Sequence, residues 1–111
     1  MGKNSKLNIQ PLVTVYITNH NYGSFLKRAI QSVLNQTLKN FELIIIDDGS
    51  TDNSKKIINS YRKNYKIIKI FQKNRGLTVS NNLALRLSKG KYIMRLDADD
   101  WLDNNALEVM S

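Results

Sequence analysis

The chain has 111 residues, 41% of them hydrophobic, and a formal net charge of +8 from 17 basic and nine acidic side chains. That length buries roughly 65% of the unfolded surface, enough for one ordinary core. With no cysteine, disulfides, thiolate zinc sites and a cysteine nucleophile are excluded, and no apolar run approaches the roughly 20 residues of a membrane span.

Residues 1–10 (MGKNSKLNIQ) read as a flexible polar leader without the apolar region of a signal peptide. Residues 12–17 (LVTVYI) are β-branched and apolar almost throughout, as in a strand covered on both faces of a parallel sheet. After the polar residues 18–21 (TNHN), Ser24 is placed to cap a helix whose Leu26, Ile30, Val33 and Leu34 recur at helical spacing. The run Leu43, Ile44, Ile45, Ile46 makes a second strand, which ends abruptly in DDGSTD. Gly49 permits a tight turn there, and Asp52 or Ser54 is placed to cap a helix that buries Ile57, Ile58 and Tyr61.

Residues 66–71 (KIIKIF) predict a third strand, and Asn74, Arg75 and Gly76 a turn. The next helix is expected to bury Val79, Leu83 and Leu87 and to end at a left-handed Gly90. The fourth strand carries Tyr92, Ile93, Met94 and Leu96 and gives way to Asp97, Asp99 and Asp100. Residues 104–111 begin an amphipathic helix that stops after about two turns, so the chain reads as a piece of something longer.

This βαβαβαβ pattern predicts an α/β fold: a doubly wound, mostly parallel sheet with helices on both faces. The nucleotide-binding version of that topology has strand order 3-2-1-4, with ligands beyond the carboxyl ends of the strands where the order reverses. Taken alone, the Asp-x-Asp at 97–99 has two readings, a solvated acidic turn with Asp103 as the next N-cap, or a site where hard oxygen ligands hold Mg²⁺ or Mn²⁺ and a diphosphate. The topology decides between them: residues 18–21, 47–50 and 97–100 end neighbouring strands and converge on one crevice. The charge pattern agrees, because Asp47, Asp48, Asp97, Asp99 and Asp100 form two clusters while the basic residues are spread along the chain.

The segments VTVYITNHN, ELIIIDDGSTD, NRGLTVSNNLA and GKYIMRLDADD resemble, in that order, the nucleotide-sugar-binding half of family 2 glycosyltransferases, inverting enzymes of the GT-A type with a Rossmann-like sheet. The resemblance covers residues 11–110. It implies a truncated GT-A domain over residues 11–111 that lacks the acceptor-binding half and, with it, the general base, so that this piece binds donor without transferring it. It further implies a nucleotide-diphosphate sugar donor, UDP-linked, and a saccharide or lipid-linked acceptor, hence polysaccharide biosynthesis. Among the residues, Asp48 matches the carboxylate that accepts from the base, and Asp47 supports the turn or the ribose. Thr18 and Asn21 match contacts to the nucleotide, Asp97 approaches ribose or the metal's water shell, and Asp99 is the direct metal ligand.

Two departures stand out. The family's proline and tyrosine at the end of strand one are Thr18 and His20 here, and its alanine-arginine-asparagine is Ser80, Asn81 and Asn82, with Arg75 the nearest replacement for the arginine. The expected location is cytoplasmic, with peripheral association at the cytoplasmic membrane face as the form the full-length protein would take. Two rivals are a haloacid-dehalogenase-like phosphatase, whose DxD normally ends the first strand, and a basic nucleic-acid-binding module, which would need exposed aromatics among Lys and Arg.

Overall fold

Four apolar runs become four parallel strands because each of the first three is followed by a segment long enough to cross back over the sheet. The computed structural model describes residues 10–61 and 66–110; the expected leader, apart from Gln10, and Ser111, the last residue of the helix expected over 104–111, lie outside them. The elements are β1 (Val13–Asn19), α1 (Gly23–Leu34), β2 (Phe41–Asp48), α2 (Ser54–Asn59), β3 (Ile67–Gln72), α3 (Leu77–Leu87), β4 (Tyr92–Asp97) and α4 (Ala106–Met110). The sheet order is β3-β2-β1-β4, and every pairing is parallel. The doubly wound α/β expectation is met in full. No helix among the described residues is long and apolar enough to cross a membrane.

Alternation along the strands divides the core in two. Val15, Ile17, Leu43, Ile45 and Leu96 face Leu26, Ala29, Ile30 and Val33 of α1, with Ile58 and Leu107 completing that layer. Tyr16, Ile44 and Ile46 face Ala84 of α3 and the partly buried Leu83. All eight residues of β2 are buried, and each buried isoleucine contributes about 1.5–3 kcal/mol.

Three local expectations are corrected. On α3 the buried residues are Ser80 and Ala84, while Val79 and Leu87 are exposed. The Ser80 hydroxyl accepts from Gln72 Nε2 at 2.8 Å, and this small-residue face lets the helix lie close on the sheet. On β4, Tyr92 and Ile93 are exposed and Leu96 alone is fully buried, because β4 has one strand neighbour and α3 lies over β1 and β2 instead. Gly90 does not adopt a positive φ; it is small because a Cβ there would sit 2.4 Å from the Thr14 nitrogen.

That close approach belongs to a buried polar link at the amino-terminal end of the sheet. Thr14 Oγ1 donates to Glu42 Oε2 at 2.6 Å, the Lys89 N–H donates to the same oxygen at 2.6 Å, and the Gly90 N–H donates to Thr14 Oγ1 at 2.8 Å. One carboxylate thereby ties β1, β2 and the α3–β4 connection.

A second carboxylate joins two helix starts. Ser24 does not cap α1; instead Asp52 Oδ2 accepts from the Gly23 N–H at 2.8 Å while Asp52 Oδ1 accepts from the Ser54 N–H at 2.9 Å. Each helix offers unsatisfied N–H groups and a positive dipole end, so a single anion serves both. Burial by itself would raise the Asp52 pKa, but the hydrogen bonds from Ser54 and Gly23 outweigh it and hold the group below its usual value.

Two outcomes follow. Glu42→Ala leaves the Thr14 hydroxyl and the Lys89 N–H without their acceptor and should lower unfolding stability by about 2–3 kcal/mol in urea titrations. Because the folded-state pKa of Asp52 is depressed, its contribution is present above the unfolded carboxylate value of about 3.9 and is lost as pH falls through the lower folded value. Melting temperatures measured from about pH 6 to pH 2 should therefore fall more steeply for the wild type than for Asp52→Asn; parallel curves would contradict the shared cap.

Candidate active site

The site is built where β1, β2 and β4 end. In the register of the sheet Thr18 lies beside Ile46 on one side and Asp97 on the other. Alternation then sends neighbouring side chains to opposite faces. Thr18, Asp48, Arg95 and Asp97 open toward the α3 side and, with His20, Tyr22, Leu77, Ser80 and Asp99, line a crevice of about 340 Å³. Of the expected residues, Thr18, Asp48, Asp97 and Asp99 are thus brought together.

Asp47 and Asn21, expected as nucleotide contacts, do not line the crevice. Asp47 is fully buried, because strand alternation turns it away from Asp48. Its Oδ1 accepts from Ser50 Oγ at 2.6 Å and Asn19 Nδ2 at 2.9 Å, and its Oδ2 from the Ser50 N–H at 3.2 Å. Asn21 has a positive φ of 62°, and its Oδ1 accepts from the Thr51 and Asp52 N–H groups at 2.7 and 3.2 Å. The Asn21 N–H in turn donates to Ser50 Oγ at 2.9 Å. Together these contacts stitch the β1 and β2 loops, with Gly49 at φ 69° supplying the tight turn.

Asp48 reaches the crevice and also anchors α3. Gln72 Nε2 and the Arg75 N–H donate to its Oδ1 at 3.0 and 2.7 Å, and the Gly76 N–H donates to its Oδ2 at 2.9 Å. Burial would raise its pKa, but these donors, together with the nearby His20, hold it below the usual carboxylate range. A carboxylate offers about four acceptor positions, so one on Oδ2 is left over. His20 Nδ1 lies 2.6 Å from the Asp48 carbonyl, which makes Nδ1 the protonated nitrogen. Arg75, considered as a replacement for the family's arginine, contributes its backbone N–H and does not line the crevice.

The segment after β4 is hung on α1. Arg28 donates to the Asp99 carbonyl at 3.2 Å and its guanidinium stacks 4.1 Å from the Trp101 ring centre. Ser32 Oγ accepts from the Leu102 N–H at 3.0 Å. Gln36, fully buried, accepts from the Leu107 N–H at 3.0 Å and donates to the Asp103 carbonyl. Arg28 and Ser32, four residues apart, share one face of α1, and Gln36 follows just beyond its end. Asp100 is a turn residue: its N–H donates to the Asp97 carbonyl at 3.0 Å and its Oδ1 accepts from the Trp101 N–H at 2.8 Å.

Asp97 is ion-paired with Arg95 at 3.1 Å, whereas the Asp99 carboxylate has no hydrogen bond or ion pair among the described residues. No group of three or more His, Asp or Glu among the described residues could hold a metal by itself. Two carboxylates at most would come from the protein, leaving the other positions to water and phosphate oxygens, and that donor set fits Mg²⁺ or Mn²⁺. Arg28 and Arg95 were not singled out from sequence. Arg95 carried a usable signal, since it stands two residues before Asp97 on a strand and must share its face; Arg28 carried one only in its four-residue spacing to Ser32 and Gln36.

The sequence model for glycosyl transferase family 2 matches residues 14–111. The chain is 41% identical over 100 residues to a chondroitin synthase of Escherichia coli, covering 89% of this chain and 15% of the synthase. It is 39% identical over 108 residues to a hyaluronan synthase of Pasteurella multocida, covering 96% of this chain and 11% of that protein. The chain therefore spans a small part of the curated relatives it matches. Among solved structures, TarS 1-349 of S. aureus in complex with UDP-GlcNAc superposes with a TM-score of 0.81 at 22% identity, over 89% of this chain and 30% of the other. The mannosyltransferase PcManGT of Pyrobaculum calidifontis, in complex with GDP-Man and Mn²⁺, gives 0.75 at 21% identity, over 85% and 29%. At such identities the likeness is one of fold, here the GT-A fold. Because the family match runs from residue 14 to the last residue of the sequence, this chain belongs to glycosyl transferase family 2.

Proposed function

We propose that this chain is the donor-binding part of a metal-dependent glycosyltransferase that takes a nucleoside diphosphate sugar, UDP-linked, for inverting transfer to a saccharide or lipid-linked acceptor in polysaccharide synthesis at the cytoplasmic face of a membrane. The observation that carries the reading is the meeting of Thr18, Asp48, Asp97 and Asp99 on one crevice from three strand ends. Its volume of about 340 Å³ lies in the range of small-molecule sites. Relatives that make chondroitin and hyaluronan and fold neighbours holding UDP-GlcNAc or GDP-Man with Mn²⁺ support the donor class.

In this reading the remaining Oδ2 position of Asp48 accepts the ring N–H of the base, and the Thr18 hydroxyl contacts base or ribose. Asp47 and Asn21 act indirectly, by holding the two loops in register. Asp99 holds the divalent cation directly, with Asp97 beside it as the second carboxylate toward the ion or its water shell and the ribose. A cation bound there supplies Lewis-acid neutralisation of charge developing on the leaving diphosphate. All three carboxylates of the crevice are thereby given to the donor and its cation, and the family resemblance puts the general base that takes the acceptor hydroxyl's proton beyond them, so that in this reading the chain alone binds donor without transferring it. A phosphatase nucleophile in the Asp97–Asp99 motif has no support from the family match, and a nucleic-acid module none from the sheet, whose central strands are covered on both faces.

Calorimetry with UDP, GDP and dTDP, each with and without Mn²⁺, tests the reading. UDP should bind with Mn²⁺ and lose about tenfold or more in affinity when the ion is chelated or Asp99 is changed to Asn; metal-independent binding, unchanged in the variant, would overturn the assignment of Asp99. Arg28→Ala should weaken Mn²⁺-dependent UDP binding by about two- to fivefold, the loss of one exposed cation–π contact and its hydrogen bond, without lowering affinity measured in the absence of metal.

A further inference from the structure

The charges that line the crevice are unevenly answered. Asp48 is met by three N–H donors, Asp97 by Arg95, and Asp99 by nothing among the described residues. Among the described residues Arg95 is the one arginine or lysine in the lining. Three carboxylates against one guanidinium leave the crevice negative, and a diphosphate brings further negative charge. A cation at Asp99 offsets only part of that, so a second positive group at the diphosphate matters.

Arg95 is placed for this. It stands two residues before Asp97 on β4 and shares its face, and its guanidinium lies 3.1 Å from Asp97 Oδ1, with 38% and 54% of the two side chains exposed. An ion pair so open to water is held weakly and exchanges partners readily. A divalent cation held at Asp99 would compete for the same Asp97 oxygen. The released guanidinium would remain inside the crevice, and its planar fork of N–H donors matches phosphate oxygens.

We propose that Arg95 is a diphosphate-binding residue that changes anions, paired with Asp97 when no metal is present and with the donor's diphosphate once a divalent cation has taken Asp97. The proposal rests on the reading of the crevice as a nucleotide-sugar site. It makes metal and nucleotide respond in opposite directions to loss of the guanidinium, which a residue of merely structural importance does not do.

The test measures Mn²⁺ binding without nucleotide, by the paramagnetic resonance signal of free Mn²⁺, and UDP binding at saturating Mn²⁺, by calorimetry, for the wild type, Arg95→Gln and Arg95→Lys. Arg95→Gln should bind Mn²⁺ about threefold or more tighter and UDP about tenfold weaker, and Arg95→Lys should recover part of the UDP affinity with Mn²⁺ affinity near the wild type. Melting temperatures confirm that each variant is folded. If the wild type binds UDP and Arg95→Gln binds it equally well, or if the variant's Mn²⁺ affinity is unchanged or reduced, the role of Arg95 is overturned and the donor site stands. If the wild type binds no nucleoside diphosphate, the donor site itself fails and the role of Arg95 fails with it.

Discussion

β1 is hydrogen-bonded on both edges, and the crevice exists because of it. Its parallel pairing with β2 and β4 brings three chain segments to the same height, so that Thr18, Asp48 and Asp97, widely separated in sequence, finish on one rim. Parallel strands also give every side chain a fixed face. That is why two adjacent aspartates at the end of β2 have unlike environments: Asp48 opens to the crevice and Asp47 is sealed beneath the loops. Where the polypeptide must leave regular structure, side chains replace the ladder. Asp47, Ser50, Asn19 and Asn21 join the first two loops, and Asp48 holds the start of α3.

The loop after β4 is supported in another way. α1 buries Leu26, Ala29, Ile30 and Val33 against the sheet and, with Gln36 just past its end, offers Arg28 and Ser32 to residues 99–107. One helix thus fills the core with one stripe and suspends the Asp97–Asp99 motif from another. Gln36 is fully buried, a position a polar amide occupies only when its hydrogen bonds are met, and the partners that meet it are backbone groups of the segment it steadies. Pre-placed carboxylates lose little freedom when a ligand arrives, which is the condition for a site to bind with few direct contacts.

Electrostatically the crevice is a negative pocket in a positive chain, with a formal net charge of +8. A positive surface attracts anions at long range, while at close range the carboxylates of the pocket repel them.

Much of this was legible in the residues themselves. Runs such as LIII ending in DDGSTD, and YIMRL ending in DADD, declared strands with polar ends, and their alternation with helix-length segments implied a parallel, doubly wound sheet, whose nucleotide-binding version has order 3-2-1-4. The meeting of Asp48 with Asp99 followed from that order. Contacts across the fold were not legible. The rotation of α3 onto Ser80 and Ala84, the capping of α1 by Asp52, the close approach at Gly90 and the burial of Asp47 each depend on a residue brought near by the tertiary structure. Local pattern reports which side chains avoid water; it does not report which polar partner waits on the other element, and hydrogen bonds between elements decided the environments of Asp47 and Asp48.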